Sequence, residues 1–174
     1  MLNANERSLA IDIISKINSW CEIKNNEIKY AGSFVEEITS LCFKYKYPKS
    51  KKEKVPNTEG KKPKTFEIDC LVQDRAYEIK WRDATTDGDH ITKEHTRIKA
   101  IKKAGYKPIR IMFYYPEREQ AKKIQGTLKT LYKSTDIDGE YYAGDQAWDY
   151  LKNAIGVDLK NILVEISKEK VRSK

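Results

Sequence analysis

The chain has 174 residues, of which 39% are hydrophobic and 34% charged, enough apolar material for one domain with a real core and no need of a second. Thirty-four Lys and Arg against 26 Asp and Glu leave a formal charge of +8, which favours a polyanionic partner such as nucleic acid. The N-terminal stretch lacks a basic segment followed by a cleavable apolar one, no run of about 18 apolar residues occurs, and Cys21, Cys42 and Cys70 are widely spaced in apolar surroundings. A cytoplasmic protein with buried thiols and no membrane span is therefore expected.

Asn5 is placed to cap a first helix, in which Leu9, Ile13, Ile17 and Trp20 recur at helical intervals and form one apolar stripe. A second helix follows Gly32, with Phe34, Val35, Ile38, Leu41 and Cys42 directed to the core and Glu36 and Glu37 outside that stripe or at its border. Between Lys44 and Lys64, nine lysines, prolines at 48, 56 and 63, and Gly60 predict a long basic loop without regular structure. Composition leaves two roles open for it, a solvated insertion or an arm that grips phosphates.

Phe66 to Val72 and Ala76 to Trp81 are short apolar runs separated by Gln73, Asp74 and Arg75, the pattern of a β-hairpin. Strand alternation sends Tyr77, Ile79 and Trp81 to one face and Glu78 and Lys80 to the other. A polar loop from Arg82 to Asp89 leads into a helix over His90 to Ala104, closed by Gly105. Pro108 to Tyr115 is nearly continuous in apolar residues and of strand length, so it is expected at the centre of a sheet, with Pro116 ending it. Three amphipathic helices follow, marked by Ala121, Ile124, Leu128 and Leu131, by Trp148, Leu151 and Ile155, and by Leu159, Ile162, Leu163 and Ile166. Asp145 and Asp158 are placed to cap the last two, and Gly156 to stop the first of that pair. The order helix, helix, strand, strand, helix, strand, helix, helix, helix predicts an α/β arrangement with helices flanking a small mixed sheet. No internal repeat is visible.

The chemistry-bearing residues concentrate in the hairpin. Asp69 lies in its first strand, and Glu78 and Lys80 lie two apart in its second, so adjoining strands can gather two carboxylates and an ammonium. Hydrolysis of a phosphodiester near neutral pH needs a hydroxide-like nucleophile and neutralisation of charge on the phosphoryl group, and a divalent cation supplies both. Mg²⁺ takes hard oxygen ligands and keeps several waters, so Asp69 and Glu78 with a substrate phosphate make an adequate cradle. Lys80 is then placed to orient the attacking water or stabilise developing charge. The bland alternative is a solubilising Glu–Lys pair on an exposed strand face.

Asp69 followed by Glu78-Ile79-Lys80 resembles the PD-(D/E)xK nuclease superfamily. The resemblance implies a restriction-endonuclease-like core, Asp69 and Glu78 as metal ligands, and Lys80 as the catalytic lysine. Ile68 stands where the name-giving proline would be, a position that varies in the superfamily. Over Tyr77 to Tyr115, and above all in Glu78-Ile79-Lys80-Trp81-Arg82-Asp83-Ala84-Thr85-Thr86-Asp87-Gly88-Asp89-His90-Ile91-Thr92-Lys93-Glu94-His95-Thr96-Arg97, the chain is similar to the ApaLI-like family of restriction endonucleases. The similarity runs on through Tyr141-Tyr142 and the helix around Trp148. It implies a type II, Mg²⁺-dependent deoxyribonuclease acting on double-stranded DNA, with 5′-phosphate products and GTGCAC as a candidate target. Cutting both strands of a palindrome needs two sites related by a dyad, so a homodimer is expected.

Superfamily members often carry a further acid on the helix before the hairpin, four residues after a glycine. Glu36 has that spacing from Gly32 and is favoured, Glu37 lies nearer the apolar edge of the helix so either can face the metal, and the alternative that both are plain surface acids stays equally open. From Thr85 to Arg97 the chain collects Thr85, Thr86, Asp87, Asp89, His90, Thr92, Lys93, His95 and Arg97, donors and acceptors suited to base edges and phosphates. This is the expected DNA-reading surface. His90 and His95 have no paired cysteines at ligand spacing, which disfavours zinc. Two other readings stay open: a repair or recombination nuclease with the same core, and an inactive DNA-binding subunit on a retired nuclease fold. Retention of all three chemical groups argues against retirement.

Overall fold

The hydrophobic periods of the chain resolve, in a computed structural model that describes residues 2, 4–24 and 31–172, into helices and one sheet. The helices are α1 (Ala4–Lys24), α2 (Ala31–Lys46), α3 (Asp89–Lys103), α4 (Glu119–Tyr132), α5 (Asp145–Ile155) and α6 (Leu159–Arg172). The strands are β1 (Lys51–Pro56), β2 (Thr65–Val72), β3 (Arg75–Arg82), β4 (Lys107–Tyr114) and β5 (Glu140–Ala143), lying side by side in that order. β1, β2 and β3 are antiparallel neighbours, while β4 and β5 run parallel to β3. Parallel neighbours need a crossover, supplied by α3 between β3 and β4 and by α4 between β4 and β5.

Helices cover both faces of the sheet. On one, Leu9, Ile13, Ile38 and Phe43 from α1 and α2 join Leu151, Ile155, Ile162 and Ile166 from α5 and α6 over Tyr77, Ile79, Ile109, Ile111 and Phe113. On the other, Ile98 and Ile101 of α3 and Ile124 and Leu128 of α4 pack with Ile68, Ala76 and Met112. β4 is thus buried on both faces and flanked on both edges, which is why its sequence is almost unbroken in apolar residues. The expected α/β architecture, a small mixed sheet between helices, is present.

The basic stretch differs from its expected form. α2 runs on to Lys46, and Lys51–Pro56 is a strand at the sheet edge. Its lysines are exposed, only Val55 is buried, and Pro56 ends it. An edge strand tolerates lysines and a terminal proline, because one row of its backbone groups faces water. Residues 57–64 remain irregular but are held in place. Asn57 donates its backbone N–H to the Lys64 carbonyl at 2.9 Å and Nδ2 to the Pro63 carbonyl at 2.8 Å, and Glu59 pairs with Lys103 of α3 at 2.5 Å.

β5 is also absent from the sequence expectation, since four residues carry too little alternation to stand out between two helices. α1 begins at Ala4, so Asn5 lies inside its first turn, and Gly32 likewise lies inside α2. Asp158 does cap α6, accepting the Asn161 N–H at 2.9 Å. Asp145 does not cap α5; Gly144, at φ +59°, precedes that helix and Asp145 is its first residue. Gly156 closes α5 in the left-handed conformation at φ +76°. Cys42 and Cys70 are buried free thiols. The Asn5, Trp20 and Cys21 side chains lie outside the described residues. No helix among the described residues is long and apolar enough to cross a membrane.

Candidate active site

β2 and β3 pair at their closed end, through Val72 with Arg75, Leu71 with Ala76 and Cys70 with Tyr77. Beyond Cys70 that ladder stops, and the Asp69 side chain takes over: Oδ2 accepts the Ile79 N–H at 2.8 Å. On its other edge β2 is irregular at the same point. Lys51 faces Leu71 and Glu53 faces Ile68, so Asp69 and Cys70 together oppose the single residue Lys52. Such a bulge bends a strand and re-aims its side chains. Its effect shows in the packing, because Phe66 and Ile68 join the core beneath α3 whereas Cys70 and Val72 join the core beneath α1 and α2. Uninterrupted alternation would send all four the same way. Asp69 is left in the mouth of the hairpin, 8% exposed.

Glu78 and Lys80 leave β3 on the face opposite Tyr77 and Ile79. Glu78 Oε1 meets Lys80 Nζ at 2.7 Å, and Oε2 pairs with Arg97 of α3. The Asp69 carboxyl is pushed up to about 7, first by burial and then by the charges of Glu78 and Glu36. Glu78 has the opposite fate: burial pushes it up, but Arg97, Lys80 and Arg110 together outweigh burial and hold it below the usual carboxylate range. Burial alone would favour the neutral amine of Lys80, yet Glu78 and Asp69 raise it above its ordinary value, so it is an ammonium at neutral pH. Neighbouring carboxyls driven apart in acidity are a mark of functional sites.

The two acids of α2 are committed differently. Glu36 accepts from Lys52 Nζ at 2.5 Å, and its charge acts on Asp69. Glu37 pairs with Lys16 of α1 at 3.0 Å. Beside Asp69 opens a cavity of about 330 Å³, bounded by Glu37 and by Lys16, Lys44, Lys51 and Lys52, space and charge suited to a phosphate group. Among the described residues no three His, Cys, Asp or Glu side chains make a ready-made cage for a metal ion. Mg²⁺ does not need one, since one or two carboxylates and substrate phosphate oxygens suffice. Burial first, and the charges of Glu78 and Glu36 after it, disfavour the Asp69 carboxylate, and a divalent cation would offset both, so this hard-oxygen donor fits such an ion.

The expected reading segment is only partly one surface. Thr86, Asp87, Asp89, Thr92 and Lys93 are exposed, and Thr85, His90 and His95 are half-buried. A ladder of side-chain acceptors shapes the segment: Asp83 Oδ1 accepts the Thr85 N–H at 3.2 Å, Thr85 Oγ1 the Asp87 N–H at 3.3 Å, and Asp87 Oδ1 the Asp89 N–H at 2.9 Å. Arg97 departs from the group. It is buried against Glu78, donates to Glu94 Oε1 at 3.0 Å and reaches the Glu67 carbonyl at 3.4 Å, so it faces the hairpin carboxylate instead of solvent.

Sequence reasoning overlooked Lys52, Glu94 and Arg110. Arg110 is fully buried on β4, pairs with Asp83, and lies 3.3 Å from Glu94 Oε1, which also accepts the Tyr132 hydroxyl at 2.5 Å. A signal for Arg110 did exist, because an arginine inside the apolar run of an interior strand requires a buried acid as partner. Lys52 offered none, being one of nine similar lysines in its stretch.

With hairpin, charges and segment in place, comparison adds a family. The ApaLI-like restriction endonuclease model matches residues 16–168, most of the chain and all of the site just described. The chain belongs to this family. Membership makes it a DNA endonuclease, a hydrolase, and its mixed sheet between helices is consistent with a restriction-endonuclease-like fold. No curated protein sequence and no solved structure matches it.

Proposed function

We propose that this family member is a type II restriction endonuclease, a single PD-(D/E)xK domain that cuts double-stranded DNA with Mg²⁺ as cofactor in restriction–modification defence. One observation carries the reading: at the mouth of one hairpin Asp69 Oδ2 rests on the Ile79 N–H, between Glu78 and Lys80, whose side chains meet at 2.7 Å. Asp69 and Glu78 would hold the cation, and Glu36, whose charge acts on Asp69, would support them; Glu37 is engaged with Lys16. When bound, the ion neutralises charge on the scissile phosphate and makes water a stronger acid.

The protein's own groups prepare that chemistry. Asp69 rests Oδ2 on the Ile79 N–H, which sets the plane of its carboxylate. Arg97 holds Glu78 from α3. Lys80, being protonated, acts as a donor: it orients the attacking water and stabilises charge on a non-bridging phosphate oxygen. In-line attack of water on phosphorus breaks the P–O3′ bond, the 3′ oxygen leaves with a proton, and the phosphate stays on the 5′ end. Thr85, Thr86, Asp87, Asp89, His90 and Lys93 are the proposed DNA contacts. Two-strand cutting of a palindrome calls for a homodimer.

Digestion of a plasmid of known sequence in Mg²⁺, followed by sequencing of the ends, tests this reading. Discrete fragments sharing one terminal sequence, lost with EDTA and with Lys80→Ala, are expected. Smears or cuts confined to junctions and flaps would replace the reading with a repair nuclease on the same fold. DNA binding without cutting by either protein, under every divalent metal, would replace it with an inactive DNA-binding subunit.

A further inference from the structure

Behind the hairpin, opposite charges follow one another without a break. Glu78 pairs with Arg97, Arg97 with Glu94 at 3.0 Å, Glu94 with Arg110 at 3.3 Å, and Arg110 with Asp83, where His90 Nε2 also stands at 3.1 Å from Oδ2. Arg97, Glu94 and Arg110 are each at most 8% exposed. The series therefore joins β3, α3 and β4 and surfaces at the loop that precedes α3. Glu94 Oε1 is shared by both guanidiniums and by Tyr132, so movement of one arginine disturbs the other's acceptor. Water cannot replace a lost partner at such depth, which makes the positions of these groups interdependent.

Asp83 stands at the junction. One oxygen, Oδ2, faces Arg110, and the other, Oδ1, holds the Thr85 N–H, the first rung of the ladder that shapes residues 85–89. Asp83 thus contacts both the segment and the buried arginine.

We propose that Asp83 is a positioning residue that couples the seating of residues 85–90 on DNA, through Arg110, Glu94 and Arg97, to the placement of Glu78. The inference rests on the proposed function, since it takes Glu78 as the catalytic carboxylate and residues 85–90 as reading DNA. A wrong base pair seats the segment imperfectly, Asp83 shifts, and Glu78 leaves its working position. Discrimination then appears in the cutting rate beyond what appears in binding.

A double-mutant cycle tests the coupling. Asp83→Asn keeps an oxygen for the Thr85 N–H and removes the charge opposite Arg110; Arg97→Lys keeps a charge near Glu78 and removes the fork to Glu94. Single-turnover cutting is measured on a duplex carrying the mapped site and on one with a single altered base pair, alongside affinity for each in Ca²⁺. Asp83→Asn should slow cutting of the mapped site by about tenfold or more, change its affinity by less than about threefold, and lower the ratio between the two duplexes. The combined variant should fall short of the product of the single losses by about fivefold or more, as members of one buried network do. Loss of folded protein would scale both duplexes alike. Multiplicative losses, or equal loss on both duplexes, would overturn the coupling. Glu94→Gln supplies a second cycle with Asp83→Asn if circular dichroism shows that Arg97→Lys does not fold. Lys80→Ala separates the two levels: if it still cuts like the wild type, the catalytic reading falls and the coupling with it, whereas a dead Lys80→Ala with a multiplicative cycle removes the coupling alone.

Discussion

Replacing Asp69 with asparagine should stabilise the metal-free protein increasingly as pH rises. The carboxyl titrates at about 7 in the folded chain against an ordinary 3.8. A raised folded value means that the folded state binds the proton more tightly, so the stabilisation from that proton is complete below 3.8 and is lost as pH climbs through 7. The whole gap corresponds to about 4 kcal/mol, and roughly 2 to 3 kcal/mol of it falls between pH 5 and pH 8. Glu78 does not confuse that window, because it is held below the usual range and is ionised in folded and unfolded chains alike above pH 5. Asparagine retains an acceptor for the Ile79 N–H and never ionises. Urea unfolding of both proteins in EDTA at pH 5, 6, 7 and 8 isolates the difference, since every other titrating group is common to the pair. The advantage of Asp69→Asn should grow by roughly 2 to 3 kcal/mol across the series. Added Mg²⁺ should reduce it, because a ligand that binds the ionised folded state stabilises only the wild type. A difference that stays flat with pH would refute the account of Asp69 as a carboxyl strained by burial and crowded charge.

Three further outcomes follow from the same geometry. Arg110→Met leaves Asp83 and Glu94 short of a buried partner and should cost about 3 to 5 kcal/mol; calorimetry should show the midpoint falling by about 6 to 20 °C, and a loss under about 1 kcal/mol would deny the buried network its structural weight. Glu36→Gln should slow single-turnover cutting by about tenfold or more, a barrier rise of about 1.4 kcal/mol, while Glu37→Gln stays within about threefold; the reverse order would give the α2 position to Glu37. Joint replacement of the exposed Lys61, Lys62 and Lys64 by alanine should lower the slope of log affinity against log salt by up to about 3, near 0.9 for each phosphate no longer neutralised, and an unchanged slope would leave this stretch without a part in holding DNA.

Much of this protein is local and therefore legible in one dimension. The helices show in their 3.6-residue stripes, and the hairpin shows in two apolar runs around a short polar turn. Asp69, Glu78 and Lys80 sit within a dozen residues of each other on two adjoining strands, so the hairpin pattern already groups them, although the bulge that aims Asp69 depends on β1, and the similarity of the segment after Lys80 already indicated the family. Three matters were decided elsewhere. β1 is a strand because β2 offers it an edge, and composition rich in lysine and proline conceals that partner. Glu36 and Glu37 differ by one helical step of about 100°, too little to separate until Lys52 and Lys16 arrive from other elements. Arg97 looks like its exposed neighbours in the chain, and only the rotation of α3 against the sheet turns it inward to Glu78. Period and proximity along the chain settle which groups are available; register between strands and the rotation of one packed helix settle which of them meet, because both depend on surfaces supplied by distant residues.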